Sequence, residues 1–308
     1  MRRALKSLEA DGTIATVPRR GYRVLPRDGR LSSGAPAAYV CELPEGIDNL
    51  TGRYRAQLGE FQRAADRRGR ALLAVSARGK SREEVLRQLA EARAVGAVLD
   101  TANLELIQAV LRSGTPAVLV DAWREDVELD SVMQDGHQGG LLAVGHLASR
   151  GHTRIAWFGP PIDEAHSQDR FGGFAAGLAR AGIVQGAELC VATSEAQAAD
   201  RARELLGRAD RPTAVVALWA SLAAAVAKAA NKLGLQLGRD LDLVGWSMEE
   251  IWASDYRPIF EAGRVPPTVT WSVRTMAEAA FARLAERRLN PGMAALRVRI
   301  PVRLRTED

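Results

Sequence analysis

Three groups of side chains in this 308-residue chain have types and spacings that could do chemistry. The first is basic and N-terminal: Arg2, Arg3 and Lys6, then Arg19 and Arg20 beside Gly21. Guanidinium and ammonium groups pair with phosphate oxygens, and a glycine lets backbone approach closely. The first 30 residues hold eight Lys/Arg against three Asp/Glu, and that surplus of five equals the formal charge of the whole chain, +5. The remainder is neutral on balance. A basic head on a neutral body points to a tip that binds a polyanion, although a solvated tail would carry the same charge.

The second group is aromatic. Trp123 follows "VLVD", Trp219 follows "VVAL" and Trp246 follows "LVG", so three of the six tryptophans stand where apolar runs end. Trp252 and Trp271 fall in the loop after the last of these and at its end, while Trp157, inside "IAWFG", reads as core. Indole faces stack on sugar rings and planar heterocycles and keep an N–H free for a hydrogen bond. Packing at a rim explains any one of them; a shared cleft explains several at equivalent positions.

The third group holds groups that could catalyse or ligate a metal, and it falls short. "GWSME" at 245–249 approaches the strand–nucleophile–helix elbow around Ser247, but Glu249 stands where the second glycine belongs. His137, His146, His152 and His166 lack metal spacing, and Cys41 and Cys190 are remote from them. No Gly-rich phosphate loop is present. These patterns describe a binder that uses neither cofactor nor metal, with a hydrolase acting through Ser247 as the enzymatic alternative.

The elements that would position these residues alternate. Residues 2–10 read as a helix, and "TIATV" and "GYRVL" around "PRR" as a hairpin. "PRDGRLSSGAPA" reads as a linker. From residue 38 apolar strands alternate with helices: "AAYVCEL", 51–68, "RALLAVS", 81–94, "VGAVLD", 103–113, "PAVLVD". "SVMQD" leads into 137–150, "RIAWFG", 169–181, "AELCVAT", 195–208, "TAVVALW", 221–233, "LDLVGW", 273–288 and a terminal "RVRIPVRL". Such alternation means parallel sheets covered on both faces, here in two lobes, with ligands expected at the carboxyl ends of the strands. No apolar run approaches the roughly 20 residues that cross a bilayer. The two cysteines sit in strand-like runs and read as buried free thiols in a cytoplasmic protein with no signal-peptide pattern.

With the residues laid out, two resemblances emerge. "MRRALKSLEADGTIATVPRRGYRV" resembles the end of the gluconate-repressor-type (GntR) winged helix-turn-helix through Arg2, Ala4, Leu5, Leu8, Glu9, Gly12 and Ile14, with Gly21 and Val24 in the wing. Residues 38–308 resemble the effector-binding core of the lactose/galactose repressor family (LacI/GalR), itself similar to periplasmic sugar-binding proteins. The runs that carry this second likeness are "VMQDGHQGGLLAVGHLASRGHTRIAWFGPP", "SQDRFGGFAAGLARAGI", "PTAVVALWASLAAAVAKAANKLGLQLGRDLDLVGW" and "PPTVTWSV". Such a head on such a core is the arrangement of arabinose-repressor-like regulators.

The resemblance implies an α/β protein of the two-lobed periplasmic-binding-protein type I, preceded by a partial winged helix. Its parts would be a head over 1–25, a linker over 26–37 and an effector-binding domain over 38–308. Within that domain the N-terminal lobe would take 38–133 and 270–290, and the C-terminal lobe 134–269 and 291–308. It also implies a homodimeric, ligand-responsive transcriptional regulator, in most cases a repressor, whose partners are operator DNA and a small effector in an inter-lobe cleft. Because Met1 stands part-way into the family's recognition helix, this chain alone is expected to bind operator weakly.

Arg2, Arg3 and Lys6 would lie along the recognition helix, and Arg19, Arg20 and Gly21 at the wing tip. Arg170 matches the family's effector-holding arginine, a bidentate donor. Other polar positions are changed: Trp219 replaces Asn, Ser247 replaces Asp, Gly136 follows Asp135 where Asn is usual, and Trp271 stands where Gln is common. With Trp246 they would form one wall; Asn49, Tyr54, Asp121 and Trp123 would contribute from the other. Two lost acceptors and added indoles suggest an effector more aromatic or apolar than a simple free sugar, a sugar derivative among the candidates, or a pocket that has lost its ligand. A solute-binding protein without DNA-binding activity would share the same core.

Overall fold

The computed structural model describes residues 14–17, 21–24, 34–42, 52–162, 165–260 and 264–306. The chain divides into two compact units, Met1–Met133 with Val273–Ile300, and Gln134–Ser272 with Pro301–Asp308.

In the first unit the parallel strands are β3 (Gly34–Cys41), β4 (Arg70–Ser76), β5 (Ala97–Asp100), β6 (Ala117–Val120) and β7 (Ser131–Gln134). Helices α1 (Gly52–Asp66), α2 (Arg82–Glu91) and α3 (Leu104–Arg112) connect them. The strand interiors are apolar and buried on both faces, as expected of a sheet covered by helices. Ser81 and Asn103 start α2 and α3 by accepting the backbone N–H three residues on. Val40, Leu73, Val75, Leu99, Ile107 and Leu119 form one core with the inner faces of those helices.

The hairpin expected around residue 19 forms as β1 (Ile14–Val17) and β2 (Gly21–Val24), with Ile14 opposite Val24 and Val17 opposite Gly21. It does not stand apart from the sheet. Val24 pairs with Leu72, so the eight-stranded order is β1-β2-β4-β3-β5-β6-β7-β13, the last strand being Arg297–Ile300. The helix expected over 2–10 lies outside the described residues, as do Arg2, Arg3, Lys6, Arg19, Arg20 and Asn49. β3 starts at Gly34, inside the stretch expected as a linker over 26–37.

After α8 (Val273–Leu289) the chain adds β13 (Arg297–Ile300) to the first sheet. Placing everything after residue 290 in the second lobe was therefore too early. A buried carboxylate holds the return: Asp130, fully buried, accepts from Arg283 Nε at 2.8 Å, Arg287 Nε at 2.8 Å and the Leu296 N–H at 2.9 Å. Burial alone would raise the Asp130 carboxyl, but hydrogen bonds from Arg287, Leu296 and Arg283 outweigh it and hold it below the ordinary range. "RVRIPVRL" is thus two strands. Pro301 supplies no N–H to continue the ladder, and β14 (Arg303–Arg305) follows it in the other sheet.

The second unit has a six-stranded sheet. It comprises β8 (Ile155–Gly159), β9 (Cys190–Ala192), β10 (Ala214–Ala217), β11 (Asp242–Met248) and β12 (Thr268–Trp271), with β14 antiparallel at one edge in the order β14-β12-β11-β10-β8-β9. Helices α4 (Gly136–Ser149), α5 (Ala165–Arg180), α6 (Ala198–Leu206) and α7 (Ala220–Lys232) cover it, and Glu249–Phe260 forms a run of short helical turns. Two strand ends differ from the sequence reading. The start of "AELCVAT" is a 3-10 turn over Ala187–Leu189. "TVTW", read as loop, is β12, and its pairing with β11 extends that strand to Met248. Cys41 and Cys190 are free thiols, the first buried and the second half-buried. Among the described residues no helix is long and apolar enough to cross a membrane.

Candidate functional site

The second unit builds its site on Arg170, five residues into α5. The side chain is fully buried. Its guanidinium carbon lies 4.6 Å from the ring centroid of Trp219 and 5.6 Å from that of Trp246, within range for cation–π attraction to both indoles. Room for the arginine stem comes from Gly136, where a Cβ would lie 2.9 Å from Arg170 Cγ. The position where the resemblance expected Asn is therefore occupied by the arginine's own chain.

Trp219 is held in a backbone conformation that disfavours any side chain, φ 76° and ψ 153°, at the cap of α7, two residues after the end of β10. Such a conformation costs about 1–3 kcal/mol and persists where the surroundings enforce it, commonly at functional sites. Here it lays the indole over Arg170.

Trp246 corrects the sequence reading. It lies inside β11 rather than at its exit and is 1% exposed. Its indole N–H donates to Gln134 Oε1 at 2.7 Å, and its ring fills the space over Gly139, where a Cβ would come within 2.6 Å of Cζ2. It backs Arg170 from within the core. Trp271 needs the same correction, being buried in β12 and not at the end of a loop. Trp252 is core too, with the Arg305 guanidinium carbon 3.7 Å from its ring centroid. Trp157 is core, as expected.

Ser247 is buried in β11 and its hydroxyl donates to the Met248 carbonyl at 3.3 Å; no described histidine hydrogen-bonds it. Asp135 caps α4 by accepting the Gln138 N–H at 2.9 Å. Among the described residues no three His, Cys, Asp or Glu side chains gather into a metal-binding group.

In the first unit Asp121 directly follows β6 at φ 51°, a second non-glycine residue at positive φ on a strand exit. Tyr54 lies in the first turn of α1, half-buried, with the Arg53 guanidinium carbon 5.4 Å from its ring centroid. Trp123 is turned into the loop between β6 and β7, and the Arg297 guanidinium carbon sits 4.2 Å from its ring centroid. Gly21 opens β2 and pairs with Val17.

A polar cluster at the strand ends of this unit was missed by the sequence reading. Tyr39 Oη donates to Asp100 Oδ2 at 2.8 Å, and Gln57 Nε2 donates to both Tyr39 Oη at 2.8 Å and Asp100 Oδ2 at 3.1 Å. The signal was present: a tyrosine inside an apolar strand, and an aspartate closing "AVLD" at a strand exit. Burial, the largest influence, raises the Asp100 carboxyl to about 6 from an ordinary 3.8. The Tyr39 hydrogen bond and Arg53 pull it down, while Asp121 and Glu42 push it up.

That shift has a sign. The folded-state value exceeds the unfolded one, so folding takes up a proton between about pH 4 and 6, and stability falls as pH rises through that window and stays lower above it. Asp100→Asn should therefore be more stable than the parent at pH 7.5 by about 1–3 kcal/mol, with the advantage gone at pH 4. Urea unfolding at the two pH values measures this. A variant weakened at pH 7.5 would mean the ionised carboxylate gains more from Tyr39 and Gln57 than burial costs it.

Comparison with known proteins places this geometry. The HTH-type transcriptional repressor PurR of Aliivibrio salmonicida (strain LFI1238) is 28% identical over 173 residues, covering 54% of this chain and 52% of that protein. The ribose operon repressor of Escherichia coli (strain K12) is 31% identical over 138 residues, 44% of this chain and 42% of that protein. The chain thus spans about half the length of the curated relatives it matches. Among solved structures, a transcriptional regulator CelR–cellobiose complex superposes with a TM-score of 0.75 at 20% identity, covering 99% of this chain and 88% of that one, a likeness of fold. The family profile described as periplasmic binding protein-like domain matches residues 144–306, a little over half of the chain. The chain belongs to the periplasmic binding protein-like domain family.

Proposed function

We propose that the chain is a ligand-responsive transcriptional regulator, a repressor by its likeness to proteins named as repressors, acting in the cytoplasm as a homodimer. The observation that carries the reading is Arg170, buried on an α5 turn and faced by two indoles, one of them held in a strained conformation. A strained tryptophan backbone is a costly feature to keep in a scaffold with no ligand to recognise.

Effector contacts are assigned to Arg170 and Trp219 of the second unit. Arg170 is the anchor. Trp246 and Asp135 act through position, the one backing the guanidinium and the other capping the neighbouring helix. With indole and serine where sugar-binding acceptors are usual, the effector is a sugar derivative or planar compound with an acceptor group for the guanidinium.

The DNA-reading part is the GntR-type winged helix, with Arg2, Arg3 and Lys6 on its recognition helix and Arg19, Arg20 and Gly21 at the wing. Effector binding shifts the population between forms of different operator affinity. Chromatin immunoprecipitation of the endogenous gene product tests this. The expected result is a small set of pseudo-palindromic sites whose occupancy changes with carbon source; uniform recovery of DNA under all conditions would contradict it.

A further inference from the structure

The hairpin β1–β2 is joined to the sheet of the first unit by a weak and separable attachment. A two-stranded hairpin alone is at best marginally stable in water and needs a further surface to pack on. Here β4 supplies it, with Val24 of β2 antiparallel to Leu72. The hairpin's own ladder is longer, running from Ile14–Val24 to Val17–Gly21. On its other side β4 keeps register with β3 from Ala37–Leu72 to Cys41–Ser76. Between those two ladders, the Val24–Leu72 pair is the weakest seam. The hairpin therefore leaves as a unit, while β3 and β4 stay together.

The connection permits that departure. β2 ends at Val24 and β3 begins at Gly34, with β4 between them in the sheet. Two strand spacings amount to roughly 10 Å, and the chain from residue 24 to residue 34 reaches about 33 Å when extended. The surplus lets the hairpin swing clear with β3 unmoved. What it uncovers is the edge of an apolar strand, in which Ala71, Leu72 and Leu73 are all buried. An open apolar edge is a liability, and that favours the hairpin's return.

A strand has two edges. β1 takes one edge of β2 and β4 takes the other. A docked hairpin thus has no β2 edge left for another strand of a DNA-reading head, and it is fixed to the first unit instead. We propose that docking on β4 and DNA reading by this hairpin are mutually exclusive, so that the sheet edge of the first unit holds the wing back. The proposal rests on the reading of the hairpin as the wing of a winged helix.

Val24→Cys with Leu72→Cys locks the docked form, because opposed residues of an antiparallel pair lie about 4.5–5.5 Å apart at Cα, within disulfide range. In the full chain the bridge should form on oxidation, as mapped by peptide mass spectrometry. The oxidised protein should bind a random-sequence duplex of about 30 base pairs, at about 50 mM salt, about tenfold more weakly than the same protein reduced. The parent, which carries Cys41 and Cys190, should show no such redox response. Because Leu72 is core, Val24→Pro gives an independent check, since proline cannot donate to a ladder. Its deuterium uptake over residues 70–76 should rise about tenfold, with uptake over β10 unchanged. No bridge together with unchanged uptake in Val24→Pro would overturn the docking. A bridge that leaves DNA affinity equal in both redox states would overturn the exclusivity. Duplex bound in neither state would refute the wing reading itself and the exclusivity with it, whatever the bridge shows.

Discussion

Gly173→Ala should destabilise the second unit by about 3 kcal/mol, while Gly172→Ala, one residue earlier on the same helix, should stabilise it by about 0.5–1 kcal/mol. The contrast comes from where α5 crosses α4. A Cβ on Gly173 would fall within 2.7 Å of His137 Cα and its carbonyl carbon, which are backbone and cannot rotate away. A Cβ on Gly172 would meet only His137 Nδ1 at 3.8 Å, an ordinary contact, and would remove the entropic cost of a glycine inside a helix. Gly140 faces the same crossing from α4, with the Gly173 carbonyl carbon 2.5 Å from its would-be Cβ. The two helices touch backbone to backbone, so an alanine there must push them apart. Arg170 rides on α5 one turn before Gly173, so the same substitution should also displace the guanidinium from its indoles. Thermal unfolding of the pair measures the first effect, and a change in Trp219 emission reports the second. Equal effects at 172 and 173 would mean the crossing is looser than described.

Much of the framework was legible because strand and helix periods are strong where both faces are buried. β4 was expected over 70–76 and is found there. What escaped depended on partners distant in sequence. β11 was expected to stop at Trp246; it runs to Met248 because Ser247 and Met248 pair with Thr270 and Trp271 of an unrecognised strand. Gly245 is there because Tyr256 packs over it, its ring carbon Cζ 2.6 Å from a would-be Cβ. Moving the strand end by two residues turned Trp246 from a rim residue into a core one. At the hairpin the local turn was readable, but its pairing with β4 was not, since nothing in "GYRV" specifies Leu72 as neighbour.

The site was legible in part. Arg170 stood out by motif, and Trp219 by its place after a strand. That the two meet, with Trp246 on another side, depends on α5 packing at Gly136 and Gly173 and on a positive φ at residue 219, neither of which local composition encodes. Tyr39, Gln57 and Asp100 come from three elements and become a cluster only once β3 and β5 pair and α1 packs beside them.

The central claim is that Arg170, set against two indoles, anchors a small effector. Isothermal titration of the full chain against sugars, sugar phosphates and nucleosides, repeated with Arg170→Ala, tests it most directly. The account predicts at least one ligand bound by the parent, with affinity lowered about 100-fold or more in the variant, as expected when a charge-assisted bidentate contact is lost. A ligand held equally well by both proteins, with the variant's fold intact by circular dichroism, would contradict it.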